Sequence, residues 1–438
     1  MYIYRHSEFF RLTARVLRSY YYLARTGIMW KQLLIIIGIL LMLGCADEQQ
    51  GKQYQAGCSE SSESVPENEY VSPAPVPKPA GNCATDALVE LGRGGQVTIS
   101  QNGKYVLQGL TGSLRRYNTL TGGYDSFALN NSRPYGNYAP AGITDDGNTV
   151  FIRTWNGYSV ATQSDIGGGG RLYSFNLSTG QGQILDVDQN GNDMTYQGWS
   201  IDGEDIDFTP DGKYVVFVLR DVIDKNDFHA GQQTHIYRKN IQTGEVTKVD
   251  TTTSDFEVGY SSRPRISDDG RYVVFNTNIN LLNDPSHTGT SDSNVFRKDI
   301  TNNSIIKITG YNNNGGNADI SGDGTVIATH TGSYTVSIWQ NGSITALLSN
   351  SLYPKMSPDG NYVALQNTST AAQRLYNVSS GQFEAVPNIP YHTQGYFNSE
   401  STEFIGDGSL LLWTWHDYKS TDTDGDADYY YYEYNCSG

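Results

Sequence analysis

"ISDDGRYVVF", Ile266 to Phe275, reads as the end of a strand, a tight turn and a second strand. Asp-Gly marks hairpin turns because glycine reaches positive φ without steric cost and aspartate tolerates it. The pattern recurs along the chain. "VTISQNGKYVL" begins at Val97, "AGITDDGNTVFI" at Ala141, "IDFTPDGKYVVF" at Ile206, "PRISDDGRYVVF" at Pro264, "ADISGDGTVIAT" at Ala318, "PKMSPDGNYVAL" at Pro354 and "TEFIGDGSLLLW" at Thr402. The turn glycines are Gly103, Gly147, Gly212, Gly270, Gly324, Gly360 and Gly408, spaced by 44, 65, 58, 54, 36 and 48 residues. Each has an apolar residue four positions before it and a β-rich run after it. The turn residues, Asp268, Asp269 and Gly270 in the quoted copy, are expected to be architectural.

A second half-motif lies between these hairpins. "RLYSFNLSTGQGQIL" begins at Arg171, "HIYRKNIQTGEVTKV" at His235, "NVFRKDITNNSIIKI" at Asn294, "TVSIWQNGSITAL" at Thr335 and "RLYNVSSGQFEAV" at Arg374; "LRRYNTLTGGYDSF" at Leu114 fits the first unit. Each unit is thus expected to hold four antiparallel strands, a to d. Four-stranded units repeating at roughly 40–50 residues imply a β-propeller. The expected fold is all-β, a seven-bladed β-propeller over 83–438.

The turn segments resemble the TolB-type propeller repeat, whose core reads S-P-D-G-x-x-[IV]-[AV]-F; Thr209-Pro210-Asp211-Gly212 and Ser357-Pro358-Asp359-Gly360 match it best. TolB carries an α/β domain ahead of its propeller. A Pro/Ser-rich stretch stands in that place here, so the family's Pal-binding role is not carried over.

The seventh unit offers strands a, b and c, the last being "DYYYYEYN", Asp428 to Asn435. Leu88 to Leu91 is expected to supply its strand d, so that the N-terminal strand completes the last blade and removes open sheet edges. Cys83 precedes that strand and Cys436 follows strand c. The two are neighbours in an antiparallel pair, and a Cys83–Cys436 disulfide is expected in an exported protein, with two free thiols as the alternative. Cys58 is left over.

The 438 residues carry a formal net charge of -16. Such a surface repels nucleic acid and anionic lipid, and neither is expected as a ligand of the folded part. The first 44 residues are the exception, with Arg5, Arg11, Arg15, Arg18, Arg25 and Lys31 against Glu8. The apolar run Leu33 to Leu43 that follows is too short for a typical spanning helix of roughly 20 residues and has the length of a signal-peptide core. It ends in Leu-Met-Leu-Gly-Cys, which resembles the lipobox of bacterial lipoproteins. The resemblance implies a signal peptide over 1–44, lipidation of Cys45 and, with Ala46 following, an outer-membrane destination. A plain secretory signal with an incidental cysteine is the alternative. "MWKQLL" looks like a natural beginning, so the true start is expected at Met29. Residues 45–82, "SPAPVPKPAG" among them, lack apolar anchors and read as a disordered Ser/Glu/Pro-rich tether.

The b–c connections are long: Trp155–Gly170, Arg220–Thr234, Asn276–Ser293 and His416–Asp428. In a propeller they share one face, where binding usually resides, although plain surface loops would look the same. Asp422, Asp424, Asp426 and Asp428 alternate in a glycine-bent loop, a pattern of hard oxygen ligands suited to structural Ca²⁺; a solvated acidic loop is the alternative. The segment also resembles the "DTNGxxD" loops of extracellular relatives. "DVDQNGND", Asp186 to Asp193, is a weaker second Ca²⁺ candidate. No G-x-S-x-G, H-E-x-x-H or Cys/His metal spacing is present, and no catalytic residue is assigned. His229, His235, His287, His330, His392 and His416 are scattered, four of them in or beside b–c loops.

The expected role is a lipid-anchored, non-enzymatic binding scaffold of the cell envelope, meeting a protein or polysaccharide through the b–c loop face. The alternative is a polysaccharide-active enzyme, a metal-assisted lyase or hydrolase, using loop histidines such as His235 and His416 around the central channel.

Overall fold

A computed structural model describes residues 89–90, 97–110, 113–119, 121–128, 138–154, 158–159, 164–165, 171–194, 205–222, 232–251, 259–283, 293–309, 315–331, 334–369, 373–384, 402–404, 410–414 and 428–432. The elements among them are β-strands, and the main sheets are four-stranded and antiparallel, as a propeller requires.

Six sheets come from one continuous stretch each. Their first strands are Val97–Ile99, Tyr138–Ile143, Ile206–Phe208, Ser261–Ile266, Gly315–Ile320 and Ser351–Met356, which number sheets 1 to 6. Each first strand is an edge and three further strands add outward in chain order; in sheet 2 a separate pair, Tyr158–Ser159 with Ser164–Asp165, lies between the second and third. Sheet 7 joins Thr402–Phe404, Leu410–Thr414 and Asp428–Tyr432, and Val89–Glu90 pairs beside the last, with Val89 opposite Tyr431.

The second strands are unbroken apolar runs because both faces are buried, each against a different sheet. Val215 and Phe217 pack with Phe151, Leu172 and Leu185 of sheet 2, whereas Val216 and Val218 pack with Ile266, Val273 and Phe275 of sheet 4. The same alternation joins sheets 1 and 2, 4 and 5, 5 and 6, and 6 and 7. Burying one such phenylalanine is worth about 2–3 kcal/mol.

The turns close locally. The Ser267 hydroxyl donates to Asp269 Oδ1 (2.7 Å) and accepts the Tyr272 amide (2.9 Å), while the Arg271 amide donates to Asp269 Oδ1 (2.9 Å). Ser100, Thr144, Thr209, Ser321 and Ser357 do the same in their own turns. Gly270 has φ +72°, and a Cβ there would enter the ring of Tyr214 from sheet 3. Tyr272 stands likewise under Gly324, capped by Arg297, whose guanidinium lies 4.6 Å from the tyrosine ring and donates to the Gly324 carbonyl (2.8 Å). Such a turn glycine therefore answers two demands, a left-handed backbone and the neighbouring sheet's aromatic ring.

Two expected loops are partly built into this frame. Strands Tyr214–Val222 and Gln232–Asn240 run into the stretch 220–234, and Asp221 pairs with Gln233. In the stretch 276–293, Ile279 and Leu281 are buried in the core between sheets 3 and 4. Apolar side chains in a nominal loop are drawn inward for the area they bury.

A candidate ligand cavity among the first strands

One cavity of about 210 Å³ touches the first strand of every sheet. Counting back five residues from each turn glycine gives Thr98, Gly142, Asp207, Arg265, Asp319, Lys355 and Glu403. Of these, Thr98, Asp207, Arg265, Asp319 and Lys355 line the cavity, with the apolar neighbours Ile99, Phe208, Ile266, Ile320, Met356 and Phe404. Four consecutive sheets thus present acid, base, acid and base.

The charges are held by backbone as well as by one another. Asp207 Oδ2 accepts the Ile266 amide of the next sheet (2.8 Å), and Asp319 Oδ2 accepts the Met356 amide of its next sheet (2.8 Å). Arg265 Nε lies 4.0 Å from Asp319 Oδ1. Withdrawal from water pushes the Asp207 carboxyl up to about 6, against the Arg265 charge and the Ile266 amide, which favour the anion. Two residues before Arg265 and before Lys355, the backbone bulges: Arg263 has φ 54° and Tyr353 φ 52°, each immediately ahead of a proline. Left-handed conformations of bulky residues cost on the order of 1 kcal/mol each and collect where a side chain must be aimed.

One end of the cavity is bridged. Gln101 Nε2 donates to Asp268 Oδ1 (2.7 Å), linking turns of sheets 1 and 4. The Asp268 amide donates to the Gly322 carbonyl (2.8 Å) and the Gly322 amide to the Pro358 carbonyl (2.7 Å). A Cβ at Gly322 would collide with the Asp268 carboxylate. Burial raises Asp268 above the usual carboxylate range, with Gln101 opposing. Asp269 and Gly270 shape the turn, whereas Asp268 lines the cavity.

Other expected sites separate on inspection. His235 is buried, its Nδ1 3.0 Å from Asp250 Oδ2, while the Ile236 amide donates to Asp250 Oδ1 (3.2 Å). Sheet 2 repeats this with Arg171 and Asp186 (Nε–Oδ2 2.7 Å). In sheet 4 the Val295 amide donates to Thr309 Oγ1 (3.1 Å) at the corresponding place. His235 is thus one member of a structural series. His330 lies in sheet 5, half-buried against Gly316, and does not meet His235. The other four histidines lie outside the described residues.

The acidic groups of the second Ca²⁺ candidate find partners within the protein. Asp186 and Asp193 are both taken by Arg171, and Asp188 accepts the amides of Asn190 and Asn192 within its own loop (both 2.8 Å). Lys239 Nζ donates to the carbonyls of Leu185 and Val187. Asp186 and Asp193 thus meet a cation of the protein and Asp188 the amides of its own loop, and among the described residues no three acidic, histidine or cysteine side chains gather as a metal site. Asp422, Asp424 and Asp426 lie outside the described residues; position 428 opens the third strand of sheet 7, opposite Thr414. Cys45, Cys58, Cys83, Cys436, Gly408 and the 1–44 and 45–82 segments also lie outside them.

No protein-family model matches the chain, and no curated protein matches it. Among solved structures, the tricorn protease is similar with a TM-score of 0.45 and 10% identity, over 66% of this chain and 30% of that one. TolB from Acinetobacter baumannii is similar with a TM-score of 0.36 and 17% identity, over 77% of this chain and 62% of that one. The chain spans less than two thirds of either protein's length, and likeness this distant assigns no function.

Proposed function

We propose that the chain is a lipid-anchored propeller of the bacterial cell envelope that works as a non-enzymatic binding protein for an envelope protein or polysaccharide. In this reading the sheets form a closed seven-bladed ring, with Val89–Glu90 completing the last blade and Cys83–Cys436 locking it. Cys45 carries the lipid, residues 45–82 form the tether, and the Asp422–Asp428 loop holds structural Ca²⁺ on the b–c face. The observation that carries the reading is the single cavity bordered by the first strands of all the sheets. One cavity touching every first strand is what a ring of blades would enclose. The commitment of His235 to Asp250 favours binding over the enzymatic alternative.

The test is affinity capture from intact bacterial envelopes with the full chain and with a version whose b–c connections are shortened. Loss of the captured partner on shortening is expected; identical capture by both would overturn the loop-face reading. Cys45→Ser should move the protein out of the membrane fraction, and unchanged fractionation would remove the anchor.

A further inference from the structure

We propose that the cavity among the first strands seats one neutral sugar residue, its hydroxyls toward Asp207, Arg265, Asp319 and Lys355 and a C–H face toward Phe208. The inference deepens the binding reading, on which it rests, by naming what the cavity takes.

Three observations carry it. The first is the order of the charged side chains. Asp207, Arg265, Asp319 and Lys355 alternate acceptor and donor over four successive sheets. A bare cation or anion would meet as many like charges as opposite ones. A hydroxyl both donates and accepts, so adjacent hydroxyls match an alternating lining.

The second is an aromatic patch on the cavity wall. Sheet 2 has glycine, Gly142, at the position where sheets 3 to 6 have a charge. A Cβ there would stand inside the ring of Phe208, which lines the cavity and stacks on Phe151 with centroids 4.4 Å apart. The lining thus joins charged side chains with apolar ones, Phe208 beside Asp207 among them, and a sugar likewise offers both hydroxyls and C–H surface. The third is size. A cavity of about 150 Å³ accepts a benzene ring, so the 210 Å³ available here admits a six-membered ring with substituents.

The backbone supports the assignment. The two cations follow the left-handed residues Arg263 and Tyr353. Sheets 2 and 5 bulge at the same place, but among the described first strands the left-handed residue stands only ahead of these two cations. The exposed Gln101–Asp268 hydrogen bond spans one end, and the cavity has room for one residue, so the occupant is the terminal residue of a glycan or a free monosaccharide.

The experiment is titration of the purified full chain with neutral methyl glycosides and free monosaccharides, followed by calorimetry and ligand-observed NMR. Glycine and alanine serve as zwitterion probes and acetate as an anion probe. Saturable binding of at least one neutral sugar in the millimolar range is expected, with about tenfold loss of affinity in Lys355→Met. Phe208→Leu should weaken binding similarly. Asp319→Asn, which keeps an acceptor for the Met356 amide, provides a second polar variant should Lys355→Met fail to fold. Absence of sugar binding to about 50 mM, tighter binding of the amino acids or acetate, or undiminished sugar binding by the folded Lys355 or Asp319 variants would each overturn the proposal. Its failure is distinct from that of the scaffold reading. Loop-dependent envelope capture without sugar binding removes only the pocket assignment, and sugar binding without capture removes only the partner-binding face.

Discussion

The ammonium of Lys239, in the third strand of sheet 3, donates to the carbonyls of Leu185 (3.0 Å) and Val187 (2.6 Å) at the end of sheet 2. Lys298 occupies the same place in sheet 4 and donates to the carbonyl of Thr251 (3.1 Å) beyond sheet 3. Both lysines are buried, at 1% and 2% exposure, so each acts as a charged latch between adjacent sheets. Lys239→Met keeps the stem but leaves two carbonyls without their donor. A loss of about 2–3 kcal/mol in urea-unfolding stability is expected, and a change under 0.5 kcal/mol would show that the latch contributes nothing.

The His235–Asp250 pair predicts a coupled effect. His235→Leu leaves Asp250 Oδ2 without the imidazole, with the Ile236 amide still on Oδ1, and should cost about 1–3 kcal/mol. The double change His235→Asn with Asp250→Thr copies the side chains of sheet 4 and should recover about half of that loss. Thermal unfolding of the two variants decides. A double variant no more stable than the single one would mean that the sheets' solutions are not interchangeable.

Gly270 and Gly244 separate backbone strain from crowding. Both have positive φ, +72° and +76°, but only Gly270 faces a tyrosine ring; Gly244 has open space around it. Gly244→Ala should cost about 1 kcal/mol, and Gly270→Ala about 2 kcal/mol more through displacement of Tyr214. Equal chemical-denaturation midpoints would refute the wedge role of Tyr214.

Asp323 shows how the turns respond to acid. Burial opposes its charge, but the Ser321 hydroxyl and the Thr325 amide and hydroxyl outweigh it and hold the carboxyl below the usual range. A depressed folded pKa gives stability that is present above the unfolded value of 3.8 and is lost as pH falls through the folded value. Asp323→Ala should therefore destabilise by about 1–2 kcal/mol at neutral pH, with the difference from the parent narrowing below pH 3.8. A pH-independent difference would assign the effect to packing.

Asp207 has the opposite sign. Its folded pKa of about 6 lies above the ordinary 3.8, so the fold binds the proton more tightly than the unfolded chain does. Stability referred to this group is highest below 3.8 and falls as pH rises to about 6, where the carboxylate is forced to ionise beside Asp319. Asp207→Asn keeps an acceptor for the Ile266 amide and removes the charge. It should raise stability at pH 7 by about 1 kcal/mol or more and leave it unchanged near pH 4. Unfolding curves at the two pH values test this, and a variant less stable at pH 7 would show that the attraction to Arg265 outweighs the desolvation.

The four-stranded units and their turns were legible in the residues alone. The Ser267–Asp269–Gly270 turn closes within six residues, through a hydroxyl, a carboxylate and two amides, and repeats wherever Ser or Thr stands three positions ahead of the glycine. Interactions of that range are written in consecutive letters. Runs such as "YVVF" declare burial on both faces for the same reason.

Only the tertiary structure could decide what the letter five places before each glycine means. It reads Thr, Gly, Asp, Arg, Asp, Lys and Glu, and a search for repeats discards what differs between copies. Its sense lies in the differences, which become a pattern only when strands as distant in the chain as those of Thr98 and Phe404 border one cavity. The histidine went the other way, since beside a loop in the sequence it looked available. Folding brought Asp250 to its ring and the sheet over both, because a buried imidazole and a buried carboxylate each need the hydrogen bond the other supplies. Local chemistry fixed the repeating unit, and the juxtaposition of units fixed which side chains line the cavity and which are consumed in holding the sheets together.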